Sequence, residues 1–376
     1  MAERMSFWCY LRPLYCMAKA LLIHPHCIEW QTGNPHVSVF GTMHSLTLAI
    51  GYYIYHVMMA LQQMVLNEKD YNFVTFAINS YNLFSGCTFF LLIVVTVTWM
   101  QKQMIAVLGI IYTFDNHMEK LNLCVDNRMW SVMFYVPGLI LFSALGVMEL
   151  ENCIMFIRDS MPFSDFCFMM CYIPMFVLIV TEWMFIGYTL AIKYRFNLIN
   201  THLQGVPEEN TTNTVNVMKF HAKSLADASK KLNGVFNLPL LLLLLNQFAA
   251  MATLLYDLCM TIVDFGQEPN ERLRDIIKSG GWSMLFMLEM LALCRVCELL
   301  EVEAHLTSKS LMRLTKDGGC LNSLQLLSVL RVKITPFRLF SVDMKLFYTM
   351  FGAIATYLIV LVQFDMAQDY KQMILN

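Results

Sequence analysis

Apolar positions in this chain form long unbroken runs, and charged positions gather between them. Residues 37–61 and 71–101 contain no Asp, Glu, Lys or Arg. Further runs cover 129–148, 166–192, 232–262 and 276–300. Glu182 interrupts the second of these, Asp257 the third, and Glu289 and Arg295 the fourth. A last run is uncharged from Leu346 to Phe364; at about 1.5 Å of rise per residue it makes roughly 28 Å, the thickness of a bilayer's hydrocarbon. The pattern predicts an all-α membrane protein with seven transmembrane helices. The run over 71–101 is longer than one bilayer needs, so it tilts or projects. Pro137-Gly138 predicts a kink.

The polar stretches set the organisation. Residues 1–35 form an N-terminal segment at the membrane surface, and 36–300 a six-helix bundle. Residues 301–335 are a polar connector, 336–366 the last helix with a short leading piece, and 367–376 the tail. Within the bundle, 67–70 reads as a turn, 102–128 and 149–165 as loops, 193–231 as a polar, partly helical piece and 264–275 as a turn.

Composition agrees with the pattern. The chain is 57% apolar and 14% charged, against roughly 25% charged in soluble domains. A net charge of −2 gives no reason to expect a nucleic-acid partner. The 12 cysteines are scattered through apolar runs and read as small buried hydrophobes. Charge also sets the orientation. With the N-terminus inside, the inner segments hold 20 of the 26 Lys and Arg and the outer segments hold 6. This bias predicts N-terminus inside and C-terminus outside, opposite to a G-protein-coupled receptor. Asp-Arg-Tyr after the third helix and Asn-Pro-x-x-Tyr in the seventh are also missing.

In this orientation the outer and middle parts of the first six helices carry many polar and aromatic side chains. They are Tyr52, His56, Asn79, Asn82, Glu149, Tyr172, Gln247, Tyr256, Asp257, Trp282 and Glu289. Bare polar groups in hydrocarbon cost several kcal/mol, so these face a wet cavity or one another. Amides and carboxylates beside Tyr and Trp suit a pocket for a small polar molecule. For each residue alone, interhelical hydrogen bonding is the alternative. Glu182 and Glu289 are the acids a proton-coupled transporter would use, with Arg295 or polar neighbours as partners. Cys294-x-x-Cys297 lacks the further ligands of a metal site. Phosphate-loop, nucleophile-elbow and zinc-protease patterns are missing, so nothing points to an enzyme or a cofactor.

The last run carries Thr356-Tyr357, five apolar residues and Gln363-Phe364, preceded by Phe340-x-x-Asp343-x-x-Leu346. From Pro336 to Asp365 this resembles the C-terminal pattern of insect gustatory receptors, relatives of the odorant receptors. The resemblance implies a tastant-gated, non-selective cation channel in the plasma membrane of chemosensory neurons. It implies a homotetramer, or a hetero-oligomer with other gustatory receptors, whose last helices line one central pore. Val360, Gln363 and Phe364, with Thr356 on the same face, would form or flank its gate. Apolar rings dewet such a pore, and glutamines solvate a cation when the helices splay. The partners implied are a sugar or bitter tastant, permeant cations and membrane lipid. In the sweet-taste branch a Glu usually follows Thr-Tyr; Leu358 stands there here, which weakens the sugar reading. An odorant-type channel subunit and a small polar solute transporter are the competing readings; the repeats and broken helices common in transporters are missing.

Overall fold

The computed structural model describes residues 7–29, 34–66, 73–123, 127–158, 173–205, 211–263, 269–314 and 330–375. Among these, nine α-helices follow in order: α1 Phe7–Ala20, α2 Val39–Leu66, α3 Phe73–Trp99, α4 Gln101–Lys120, α5 Asn127–Arg158, α6 Ile173–Gln204, α7 Thr211–Val263, α8 Pro269–Leu314 and α9 Met344–Leu375. Strands β1 (Cys27–Glu29) and β2 (Asn34–His36) pair antiparallel, and a 3-10 turn spans Pro336–Arg338. Helices α5, α6, α7 and α9 are long and apolar enough to cross a membrane, and the bent pair α3–α4 would make a fifth span. The other two predicted spans fall short of that measure. His and Tyr dilute the uncharged α2, and Glu289, Arg295 and Glu298 put charge into α8.

Helix α6 is the hub. It packs against α1, α3, α5, α7 and α8. Of its most apolar stretch 83% is buried, against 11% for α9. A helix apolar all round is covered by protein neighbours or by lipid, and α6 is covered by neighbours. Two glycines let α5 approach: Trp183 of α6 lies on Gly138, and Phe134 of α5 lies on Gly187, where a Cβ would collide. Trp130 Nε1 donates to the Gly187 carbonyl at 3.3 Å across the same contact.

Polar ties fasten α6 to the rest. Arg195, 1% exposed, grips Asp115 of α4 through Nε to Oδ1 at 2.8 Å and Nη2 to Oδ2 at 2.5 Å. Asn200 Nδ2 donates to the Glu303 carboxylate of α8 at 2.9 Å. Tyr188 meets His24 Nε2 at 3.0 Å, anchoring the segment after α1.

Several polar stretches that read as loops are helical. Helix α4 occupies most of 102–128, joined to α3 through a 62° bend. Met104, Val107, Leu108, Ile111, Phe114 and Met118 form its buried stripe at helical spacing, between charges that dominate the sequence there. Helix α5 continues through Pro137 and runs to Arg158, since 149–158 contains neither Gly nor Pro to stop it. Helix α8 continues to Leu314 because Leu300, Ala304, Thr307 and Leu311 keep one face buried. The polar piece 193–231 is helical up to Gln204 and again from Thr211, as extensions of α6 and α7.

Two outcomes follow from these contacts. Removing one partner of a buried ion pair strands the other, so Arg195→Ala should lose on the order of 3–5 kcal/mol, read as a fall in the thermal midpoint. His24 and His26 are buried beside Tyr15, outside the membrane-spanning segments. Burial first, then Lys19 and His36, hold His26 down to about 4, and burial and His26 hold His24 well below its ordinary value. The unfolded chain takes up protons below about 6.5 while the folded chain resists. Stability should therefore fall as pH drops from about 6.5 towards 4. Thermal midpoints across that range should show the slope, and His26→Leu should flatten it.

Candidate functional site

The start of α6, the end of α7 and the start of α8 come together, and between them lies a cavity of about 630 Å³. Its wall includes Ala250, Leu254 and Asp257 of α7, and Asp275, Trp282 and Phe286 of α8. Met175 of α6 and Lys278 of α8 close the sides. On each helix these residues recur every three or four positions and so share one face. The site combines two carboxylates, one ammonium, two aromatic rings and apolar walls, which suits a small amphiphilic molecule.

Of the residues expected in a pocket, Asp257 and Trp282 line this one. Gln247 and Glu289 lie about one turn deeper on the same faces, both buried. There Gln247 Nε2 donates to Glu182 Oε2 of α6 at 2.8 Å. Arg295 does not join these acids; it pairs with Glu298 at 2.7 Å. Tyr256 is buried on α7 away from the cavity lining. Tyr52 and His56 form a separate group on α2. The Tyr52 hydroxyl lies 3.4 Å from His56 Nδ1, and its ring meets Phe90 edge-on with centroids 5.0 Å apart. Tyr172 lies outside the described residues, as do the side chains of Asn79, Asn82, Glu149 and Phe364.

Asp275 and Lys278 were not singled out from sequence. Asp275 ends the stretch read as a turn and Lys278 begins the run read as the sixth helix, but Pro269 opens α8 ahead of both. Proline at a first helical position is a start signal that would have put 275, 278, 282 and 286 on one face. Cys294 and Cys297 are buried and free.

Helix α9 presents a separate candidate surface. Thr356, Val360 and Gln363 are exposed, with Ile354 buried on the opposite side. The Thr356 hydroxyl donates to the Gly352 carbonyl of its own helix at 3.0 Å. Asp343 caps the helix: its Oδ1 accepts from the backbone N–H groups of Lys345 and Leu346 at 3.0 and 3.1 Å.

The chain enters that cap through a strained clip. Phe337 (φ 48°) and Arg338 (φ 61°) are left-handed, a conformation costing about 1–3 kcal/mol each for residues other than glycine. Two α7 side chains one turn apart hold the clip. Asn233 Oδ1 accepts from the Thr335 N–H at 3.0 Å, and Asn237 Oδ1 accepts from the Phe337 N–H at 3.1 Å. Phe337→Gly should raise the thermal midpoint by relieving the backbone, and Asn237→Ala should lower it by about 1 kcal/mol equivalent.

The chain matches the 7tm chemosensory receptor family over residues 11–368 and belongs to it. It is therefore a membrane protein of the chemosensory receptor class. No curated protein matches it significantly. Among the solved structures that share its fold are two of one receptor. One is the insect olfactory receptor OR5 from Machilis hrabei, with TM-score 0.65 and 13% identity, covering 94% of this chain and 97% of that one. The other is the same receptor in complex with eugenol, also with TM-score 0.65 and 13% identity, covering 95% of this chain and all of that one.

Proposed function

We propose that this protein is a gustatory-type, tastant-gated cation channel whose ligand occupies the cavity between α6, α7 and α8. The observation that carries this reading is the 630 Å³ cavity itself, with Asp257 and Trp282 in its wall, in a chain of a chemosensory receptor family. By the charge count the N-terminus is inside, so the cavity opens on the outer side, where a tastant arrives. The solved relative that holds eugenol supports a small aromatic ligand as the kind of molecule this fold accommodates.

The gate is α9. Its exposed apolar surface, with Ile359 and Val360 more than half exposed, suits packing around a central pore in a homotetramer or a hetero-oligomer with related receptors. Val360 and Phe364 would then close the pore by dewetting, with Gln363 and Thr356 offering polar groups to cations when the helices splay. Opening requires that the ligand bind the splayed state more tightly than the closed one. The clip at 335–338 connects α7 to α9, so movement of α7 around a ligand reaches the pore helix through Asn233 and Asn237. A second reading, an odorant-type channel subunit, is favoured by the solved olfactory receptors; the Gln363-Phe364 pair within α9 favours the gustatory branch.

Whole-cell current from the chain expressed alone, screened with sugars and plant bitter compounds, tests the proposal. We expect a ligand-evoked cation current that Asp257→Asn shifts to about tenfold higher ligand concentration, the scale of one charge-assisted contact. Gln363→Ala should change conductance or block. Saturable solute uptake without current would overturn the channel in favour of a transporter.

A further inference from the structure

Beneath the cavity, Glu182, Gln247 and Glu289 are 3%, 2% and 4% exposed. Gln247 Nε2 donates to Glu182 Oε2, and the Glu289 carboxyl lies beside the same amide. Three oxygens remain without a hydrogen-bond partner, one from each residue: Glu182 Oε1, Gln247 Oε1 and Glu289 Oε1. A buried acceptor left in this state costs about 1–3 kcal/mol. These three oxygens meet no donor from the surrounding helices, and the basic side chain near them on α8, Arg295, is engaged with Glu298.

The cavity stops about one helical turn short of this group. On α8 the lining positions Trp282 and Phe286 continue to Glu289, and on α7 Asp257, Leu254 and Ala250 continue to Gln247. On α6 the face of Met175 continues through Ile179 to Glu182. Three residues of helix separate floor from cluster on α7 and α8, roughly 4.5 Å. A two-carbon chain bridges that depth. Trp282 and Phe286 offer ring faces above it, and Asp257 and Asp275 outnumber Lys278 at the wall.

We propose that cavity and cluster form one site for an arylalkyl amine, its ring against Trp282 and its ammonium held by Glu182, Gln247 and Glu289. An ammonium carries three N–H donors and no acceptor, matching three unpartnered oxygens. Ligand entry displaces the apolar layer of Ile179, Leu254 and Phe286 that separates cluster from cavity. The assignment rests on the cavity being the ligand site, as proposed above.

The test is calorimetric titration of the full chain in lipid nanodiscs, against empty discs, with tryptamine and with its uncharged analogue tryptophol. We expect tryptamine to bind about tenfold tighter or more, the ratio of a charge-assisted to a neutral hydrogen bond. That preference should shrink to about twofold in Glu182→Gln and in Glu289→Gln, which keep side-chain shape while removing charge. Equal affinity for both compounds leaves the cavity as a ligand site and overturns the amine assignment. A preference that survives both substitutions also overturns it, and so does binding of neither compound, which leaves the cavity reading to the current screen with sugars and bitter compounds. The wild-type comparison depends on no variant folding.

Discussion

The structure depends on keeping α6 covered. Its apolar residues point in every direction, and five other helices pack around it. In a helix this deeply buried an unmatched polar group is costly. Four polar residues on α6 each meet a neighbour: Arg195 meets α4, Asn200 meets α8, Tyr188 meets the segment after α1, and Glu182 meets α7. Apolar packing provides most of the burial. The polar ties fix which helix sits where, and at what height.

Glu182 is the least fully matched of these. Its partner Gln247 satisfies one carboxyl oxygen, and Glu289 adds a second acid beside the same amide. Replacing such a group by apolar residues would often be neutral or stabilising, so stability alone does not account for two acids and an amide in the centre of the bundle. Their position below a cavity, on the three helices that line it, connects them to ligand chemistry. Arg195–Asp115 shows the contrasting case, a buried charge answered by a two-point grip.

Helix α9 obeys a different rule. It touches the rest of the chain through one side and through the clip at 335–338, and most of its apolar surface is uncovered. Left-handed backbone at Phe337 and Arg338, held by two asparagines of α7, stores strain where the bundle meets this helix. Strain at a junction between a packed body and a loosely packed element is a means of poising two arrangements against each other.

Run length, charge bias and the motif on the last helix were legible in sequence, because a bilayer imposes a minimum apolar length and a charge asymmetry on any chain that crosses it. That made the all-α membrane class and the family readable, along with Asp257 and Trp282 as polar and aromatic residues of apolar helices. Helix α4 was hidden because its buried stripe is interleaved with Lys102, Asp115, Glu119 and Lys120, so its charges read as a loop. The meeting of Glu182, Gln247 and Glu289 was hidden because they lie on three helices and no local spacing records a contact between helices. The left-handed turn at Phe337 was hidden because nothing in that dipeptide asks for it; the asparagines that hold it lie about a hundred residues earlier. Sequence thus determined what must lie in the membrane, since that depends on each segment's own transfer free energy. Tertiary structure decided which polar groups face one another, since that depends on packing between segments far apart in the chain.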